Sequence, residues 1–166
     1  MQISFYVLGE RYLKHDATAV STVSTIDAEA VLNFVCRLTQ TVLKKSDHSL
    51  VIVDDQTQRL SDLDAYLWSF DATSFVPHTL ILDNEPKNEA LSAPVTLLST
   101  LPPNFDGVVL NLAPTALPLS TGNILPDRVL EIITPDEISK QQGRDKYRIY
   151  RDLGFELIYY PINWYG

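Results

Sequence analysis

Five side chains near the C-terminus have the types and spacing to hold an anion. Lys140, Arg144, Tyr147, Arg148 and Arg151 fall within an arc of about 100° when the segment is wound as a helix. A guanidinium fork offers a carboxylate two parallel charge-assisted hydrogen bonds, and a tyrosine ring in the same row offers an apolar surface to a neighbouring side chain. The stretch from Lys140 to Arg151 carries five of the 13 basic residues and one acid, Asp145, for a net +4. The whole chain is −8, so the remainder carries −12. A positive strip on so acidic a body suits a small anionic partner better than a long polyanion. The same pattern also describes a solvated helix face whose cations offset the helix dipole.

Other chemistry is thinly represented. Asp54 and Asp55 follow the apolar run Leu50 to Val53, a place where α/β sheets put ligands or Mg²⁺. They are the basis of a competing reading, a nucleotide-dependent α/β enzyme. Against it, neither G-x-x-x-x-G-K-[ST] nor G-x-G-x-x-G occurs, and the 6 glycines are scattered. His15, His48 and His78 lack metal-ligand spacing, and Cys36 is the only cysteine, which excludes an internal disulfide and a cysteine-based zinc site. There is no G-x-S-x-G elbow. No catalytic residue, metal or cofactor is expected. A third reading has the basic helix bind single strands directly, with Tyr147 and Tyr150 stacking on bases. The net charge opposes it, because non-specific affinity for nucleic acid comes mostly from neutralised phosphates.

The basic residues need a helix to bring them together, and the sequence provides its punctuation. Thr134 as N-cap, Pro135 at the first helical position and Glu137 in a capping box open it, and Gly154 stops it. Ile138, Gln142, Ile149 and Leu153 lie opposite the cations and are expected to face inward. Upstream, Gln2 to Leu8 reads as a central strand. A polar connection from Gly9 to Ser24 follows, then a helix from about Ile26 to Lys45, a strand at Leu50 to Val53 and a helix from about Thr57 to Trp68. Thr79 to Leu82, Val95 to Ser99, Val108 to Leu112, Val129 to Ile133 and Phe155 to Tyr160 are further strand candidates, the last ending before Pro161. Ala113 to Pro126 reads as a surface loop. This order predicts a three-layer α/β/α fold around a mostly parallel, mixed sheet of about seven strands, Rossmann-like but without nucleotide-binding loops. A length of 166 residues with 45% hydrophobic and 20% charged composition fits one domain, 1–166. With no apolar run of about 18 residues, and with Met1 leading straight into QISFYVL, neither a membrane span nor a signal peptide is expected. A cytoplasmic location follows.

A second cluster stands in Ala65 to Leu80, where Trp68, Phe70, Phe75 and His78 crowd a short loop. Such aromatics either anchor a protein interface or cap the edge of the core. This segment, LDAYLW followed by SFVPHTL, and the C-terminal K-Q-x-x-R-D-K-Y-R-x-Y-R-D-L-G-F together resemble the chi subunit family of bacterial DNA polymerase III. The resemblance runs from ISFYVL through LVIVDD to Gly154 and Phe155, and it departs in the Ala113 to Pro126 loop and the aromatic tail. It implies a non-catalytic adaptor in the clamp-loader complex. Its implied partners are the psi subunit and the acidic C-terminal tail of single-stranded DNA-binding protein, SSB, which ends in Pro-Phe and a free carboxylate. By matching position, Lys140, Arg144, Tyr147 and Arg148 would bind the tail, and Trp68 and Phe75 would face psi or a helicase using the same surface. DNA would be reached only indirectly, with no membrane involved.

Overall fold

The computed structural model describes residues 1–15, 24–69, 76–82 and 94–162. Within them lie strands β1 (Gln2–Leu8), β2 (Leu13–His15), β3 (Ser24–Ile26), β4 (Leu50–Val53), β5 (His78–Leu80), β6 (Val95–Leu98), β7 (Val108–Asn111), β8 (Arg128–Ile133) and β9 (Glu156–Ile162). The helices are α1 (Ala28–Lys45), α2 (Thr57–Ser69) and α3 (Glu137–Asp152). Seven strands form one sheet in the order β5-β6-β4-β7-β8-β1-β9. Every neighbouring pair in it is parallel, so the expected mixed sheet is in fact uniform. The antiparallel pairing occurs apart from it, in a hairpin of β2 and β3 within and just beyond the stretch read as a plain polar connection. These strands are three residues long, too short to show an alternating pattern.

All four residues in each of β4, β6 and β7 are buried. That is why β4 reads as an unbroken apolar run, and β6 and β7 as runs interrupted only by Thr96 and Asn111, since a parallel strand is covered on both faces. On one face, Val35, Leu38 and Val42 of α1 and Leu60, Leu63 and Leu67 of α2 pack on Leu50, Ile52, Leu97, Leu110 and Leu130. Cys36 packs there too, and its burial pushes the thiol up to about 12. On the other face, Tyr150 of α3 packs with Ile3, Phe5, Val53, Val109, Val129 and Ile133. The three-layer architecture is therefore present, with α1 and α2 on one side and α3 on the other.

β1 is interior but second from the edge, and β9 forms the edge itself. The Glu156 N–H donates to the Met1 carbonyl and the Gly9 N–H to the Ile162 carbonyl, so even-numbered residues of β9 turn their backbone groups toward β1. Pro161 therefore points outward, where it withholds no ladder bond, and the strand continues through it instead of ending before it.

Helix α3 begins two residues later than its sequence suggests. Asp136, not Thr134, is the N-cap, accepting from the Ser139 N–H, while the Ser139 hydroxyl accepts from the Thr134 N–H. Aspartate is as good a cap as threonine, and the bond back to Thr134 holds the chain leaving β8. At the other end Gly154 stops the helix as expected, with φ +88°. The Phe155 N–H reaches the Tyr150 carbonyl and the Gly154 N–H the Arg151 carbonyl, a Schellman motif.

Candidate protein-interaction site

The inner side of α3 is not the aliphatic stripe that the sequence suggests. Ile138 is 72% exposed and Ile149 48% exposed, whereas Gly143, Lys146 and Tyr150 are buried. Polar side chains can face inward here because each finds its partners. Lys146 Nζ donates to Glu131 Oε1 at 2.8 Å and to the Ala113 carbonyl at 2.6 Å. The Tyr150 hydroxyl donates to Glu131 Oε2 at 2.6 Å and accepts from the Leu117 N–H at 2.9 Å. Asn111 Nδ2 donates to the same Oε2 and to the Thr115 carbonyl. Burial pushes the Glu131 carboxyl above its ordinary value, and the Lys146 charge, with hydrogen bonds from Lys146, Tyr150 and Asn111, opposes that push. Burial, and then the Glu131 charge, also raise the Tyr150 phenol, which keeps it a donor.

This network joins β7, β8, α3 and the connection after β7. That connection is less of a surface loop than expected: Ala113, Leu117 and Pro126 are buried, and four of its backbone groups take network bonds. Gly143 sets the distance of α3 from the sheet, since a Cβ there would lie 2.5 Å from Ile133 Cδ1 and 2.9 Å from its Cγ1. Helix propensity alone would favour alanine by about 1 kcal/mol, but overpacking costs about 1–3 kcal/mol. Gly143→Ala is therefore expected to lower the melting temperature, and adding Ile133→Val, which removes the nearer atom, to recover part of the loss. A Gly143→Ala protein as stable as the parent would contradict this close fit.

With α3 so fixed, Lys140, Arg144, Arg148 and Arg151 lie outside and Tyr147 sits at the border of the core. Lys146, counted in the +4, is withdrawn from this surface and matched by Glu131, leaving +3 over the same stretch. Lys140 lies 3.5 Å from Glu137, Arg148 3.8 Å from Asp145 and Arg151 3.4 Å from Asp152. Exposed pairs of this kind are worth about 1 kcal/mol at most. Arg144 touches Gln141 Oε1 at 3.2 Å. Among the described residues, it is the one cation of this face with no carboxylate within ion-pair distance. Beside the row, the Tyr147 ring lies 5.8 Å from Tyr159 of β9 and under the Arg151 guanidinium at 5.9 Å. Tyr159 escapes a reading of α3 alone. The alternation of Leu157 and Tyr159 puts the two on one face of a strand without telling which face α3 covers.

Of the second predicted cluster, Trp68 and His78 are described and lie away from α3. Trp68, near the end of α2, is 61% exposed, with its ring 5.0 Å from that of His78. The His78 side chain is buried between the Val76 carbonyl, 2.6 Å from Nδ1, and Asp64, 3.1 Å from Nε2. Phe70 and Phe75 lie outside the described residues. Trp68 and Arg144 are thus on opposite sides of the sheet and present separate surfaces.

Asp54 is fully buried, with both oxygens held at 2.7 Å by the Arg59 fork and one also accepting from the Gln56 N–H. Asp55 stands 3.5 Å from the same guanidinium. A cavity of about 550 Å³ opens at these strand ends, yet its cations Arg59 and Lys146 are each bound to a buried carboxylate. Asp54 thus anchors the turn from β4 into α2, which accounts structurally for one of the two acids, Asp54 and Asp55, of the nucleotide-enzyme reading. Among the described residues, no group of three or more His, Cys, Asp or Glu could hold a metal ion, and no helix is long and apolar enough to cross a membrane.

The chain resembles known proteins over most of its length. The family described as "DNA polymerase III chi subunit, HolC" matches residues 1–158. A curated relative, the DNA polymerase III subunit chi of Pseudomonas aeruginosa, is 32% identical over 138 residues, covering 81% of this chain and 89% of its own length.

Proposed function

Because the chain belongs to the DNA polymerase III chi subunit family, we propose that it is a replication accessory subunit that tethers the polymerase machinery to SSB-coated DNA. It does so by gripping the acidic C-terminal tail of SSB on the outer face of α3. The observation that carries the reading is Arg144, an exposed guanidinium at the centre of the cationic row without a carboxylate partner among the described residues. It takes the tail's terminal carboxylate in two parallel charge-assisted hydrogen bonds. Tyr147 flanks the terminal phenylalanine, Arg148 supports the carboxylate one turn on, and Lys140 with Arg151 attracts the upstream aspartates over a range set by screening. The weak pairs that these cations make with Glu137, Asp145 and Asp152 yield readily to a peptide.

Trp68, on the opposite layer, is with Phe75 the docking point for psi, Phe75 being assigned by the family resemblance alone, and psi links the chain to the clamp loader. A helicase using that aromatic surface would exclude psi but not the SSB tail. The acidic remainder of the chain disfavours bare DNA, so the strand is reached through SSB, in the cytoplasm where replication proceeds. The function is one of tethering, with no chemical step assigned to any side chain.

The test is a titration of the chain with a fluorescent SSB-tail peptide, with and without its terminal Phe, at two salt concentrations. Removing Phe is expected to abolish binding, and added salt to weaken binding without eliminating it. Equal affinity for the two peptides would remove the site.

A further inference from the structure

The aromatic residues bordering the cationic row do more than fill the core. On β9, Tyr159 is in register with Phe5 and Leu157 with Ile3, so both side chains share the α3 side of the sheet. The Tyr159 ring stacks on Phe5, centroids 5.2 Å apart at 20°. Phe5 is completely buried, yet Tyr159 is 48% exposed, so its ring forms a floor between core and solvent. Burial, and then the neighbouring Tyr147, raise its phenol, so the ring is uncharged at neutral pH and does not repel an anion. Arg151, over the Tyr147 ring, brings the row of cations to the border of this floor.

Cations alone cannot read the last side chain of an acidic peptide. They attract any tail with the same charge, and discrimination requires an apolar surface next to the group that fixes the terminal carboxylate. Aromatic rings pair best in offset or tilted arrangements with centroids about 4.5–7 Å apart, the spacing that Phe5, Tyr147 and Tyr159 already keep among themselves.

We propose that Tyr159 is a specificity-determining residue of the α3 face: with Tyr147 it forms the wall against which the aromatic terminal side chain of an acidic peptide packs. The inference rests on the tail-binding reading and assigns the residue that makes it selective for phenylalanine.

Anisotropy titrations of the full chain with two tail peptides, ending in Phe or in Leu, test it. The parent chain is expected to prefer the Phe peptide. Tyr159→Ala weakens the Phe peptide by about 3- to 10-fold and the Leu peptide less, so the preference collapses, while Tyr159→Phe preserves it. Since Tyr159 also covers Phe5, Tyr159→Leu serves as the variant that keeps apolar bulk without the ring, and it too loses the preference. An unchanged preference in Tyr159→Ala or Tyr159→Leu overturns the assignment. If affinity depends on Arg144 but not on Tyr159, the inference alone fails; if neither peptide binds the parent chain, the tail-binding reading fails and the inference with it.

Discussion

Lys146→Met lowers the free energy of unfolding by about 3–5 kcal/mol, because it strands a buried carboxylate whose charge is paired, among the described residues, with Lys146 alone. Glu131 is 0% exposed, and although Tyr150 and Asn111 still donate to it, neither is charged. Urea denaturation measures the loss, and adding Glu131→Gln should return more than half of it. The sign of the pH dependence is an independent check. The Glu131 carboxyl is already raised in the folded protein, so the folded state binds its proton more readily than the unfolded chain. For such a group, stability falls as pH rises from the unfolded value, about 4.3, through the folded one. Removing the ammonium enlarges the shift. The deficit of Lys146→Met should therefore be smaller near pH 5 than near pH 8, and a deficit independent of pH would show that Glu131 is not the group left unpaired.

Arg144→Ala is expected to leave the melting curve unchanged and to weaken the SSB-tail peptide by about 2 kcal/mol or more, the usual cost of deleting a charge-assisted partner. The two observables separate because the guanidinium is exposed and touches only Gln141 within its own helix. Lys140→Ala provides the contrast. Its ammonium already faces Glu137, so its contribution is a long-range one that fades with added salt. Peptide titration at low and high salt distinguishes an anchor, lost at both, from an attractor, lost mainly at the first. Arg144→Ala with parental affinity would move the site elsewhere.

The seven strands of the main sheet were legible because burial on both sides of a parallel sheet produces mostly apolar runs, as at Leu50–Val53 and Val108–Asn111, whereas the short β2 and β3 were not. The cationic arc was legible for a similar reason, as charge repeated at helical spacing. The inner face of α3 was not. Its burial depends on Glu131, 15 residues from Lys146 and 19 from Tyr150, and a lysine whose partner lies on another element looks like any surface lysine. Ile138 and Ile149 misled for the converse reason, since an isoleucine on a helix flank can stay in water at no structural cost. The role of Tyr159 required the register of β9 against β1, which depends on which strands become neighbours and is absent from any local pattern.

A sheet of parallel strands has two borders, and each is a possible seam for another copy of the chain. At one border β5 is three residues long, too short to template much pairing. At the other, β9 is seven residues long and offers outward N–H groups at Leu157 and Tyr159, but at Pro161 the next outward position has none. A second copy laid along this border would find the donor row interrupted at Pro161, where only the carbonyl is left to bond. This edge thus offers another copy an interrupted row of donors, a poor template for fibre growth, and the sheet can stay at seven strands.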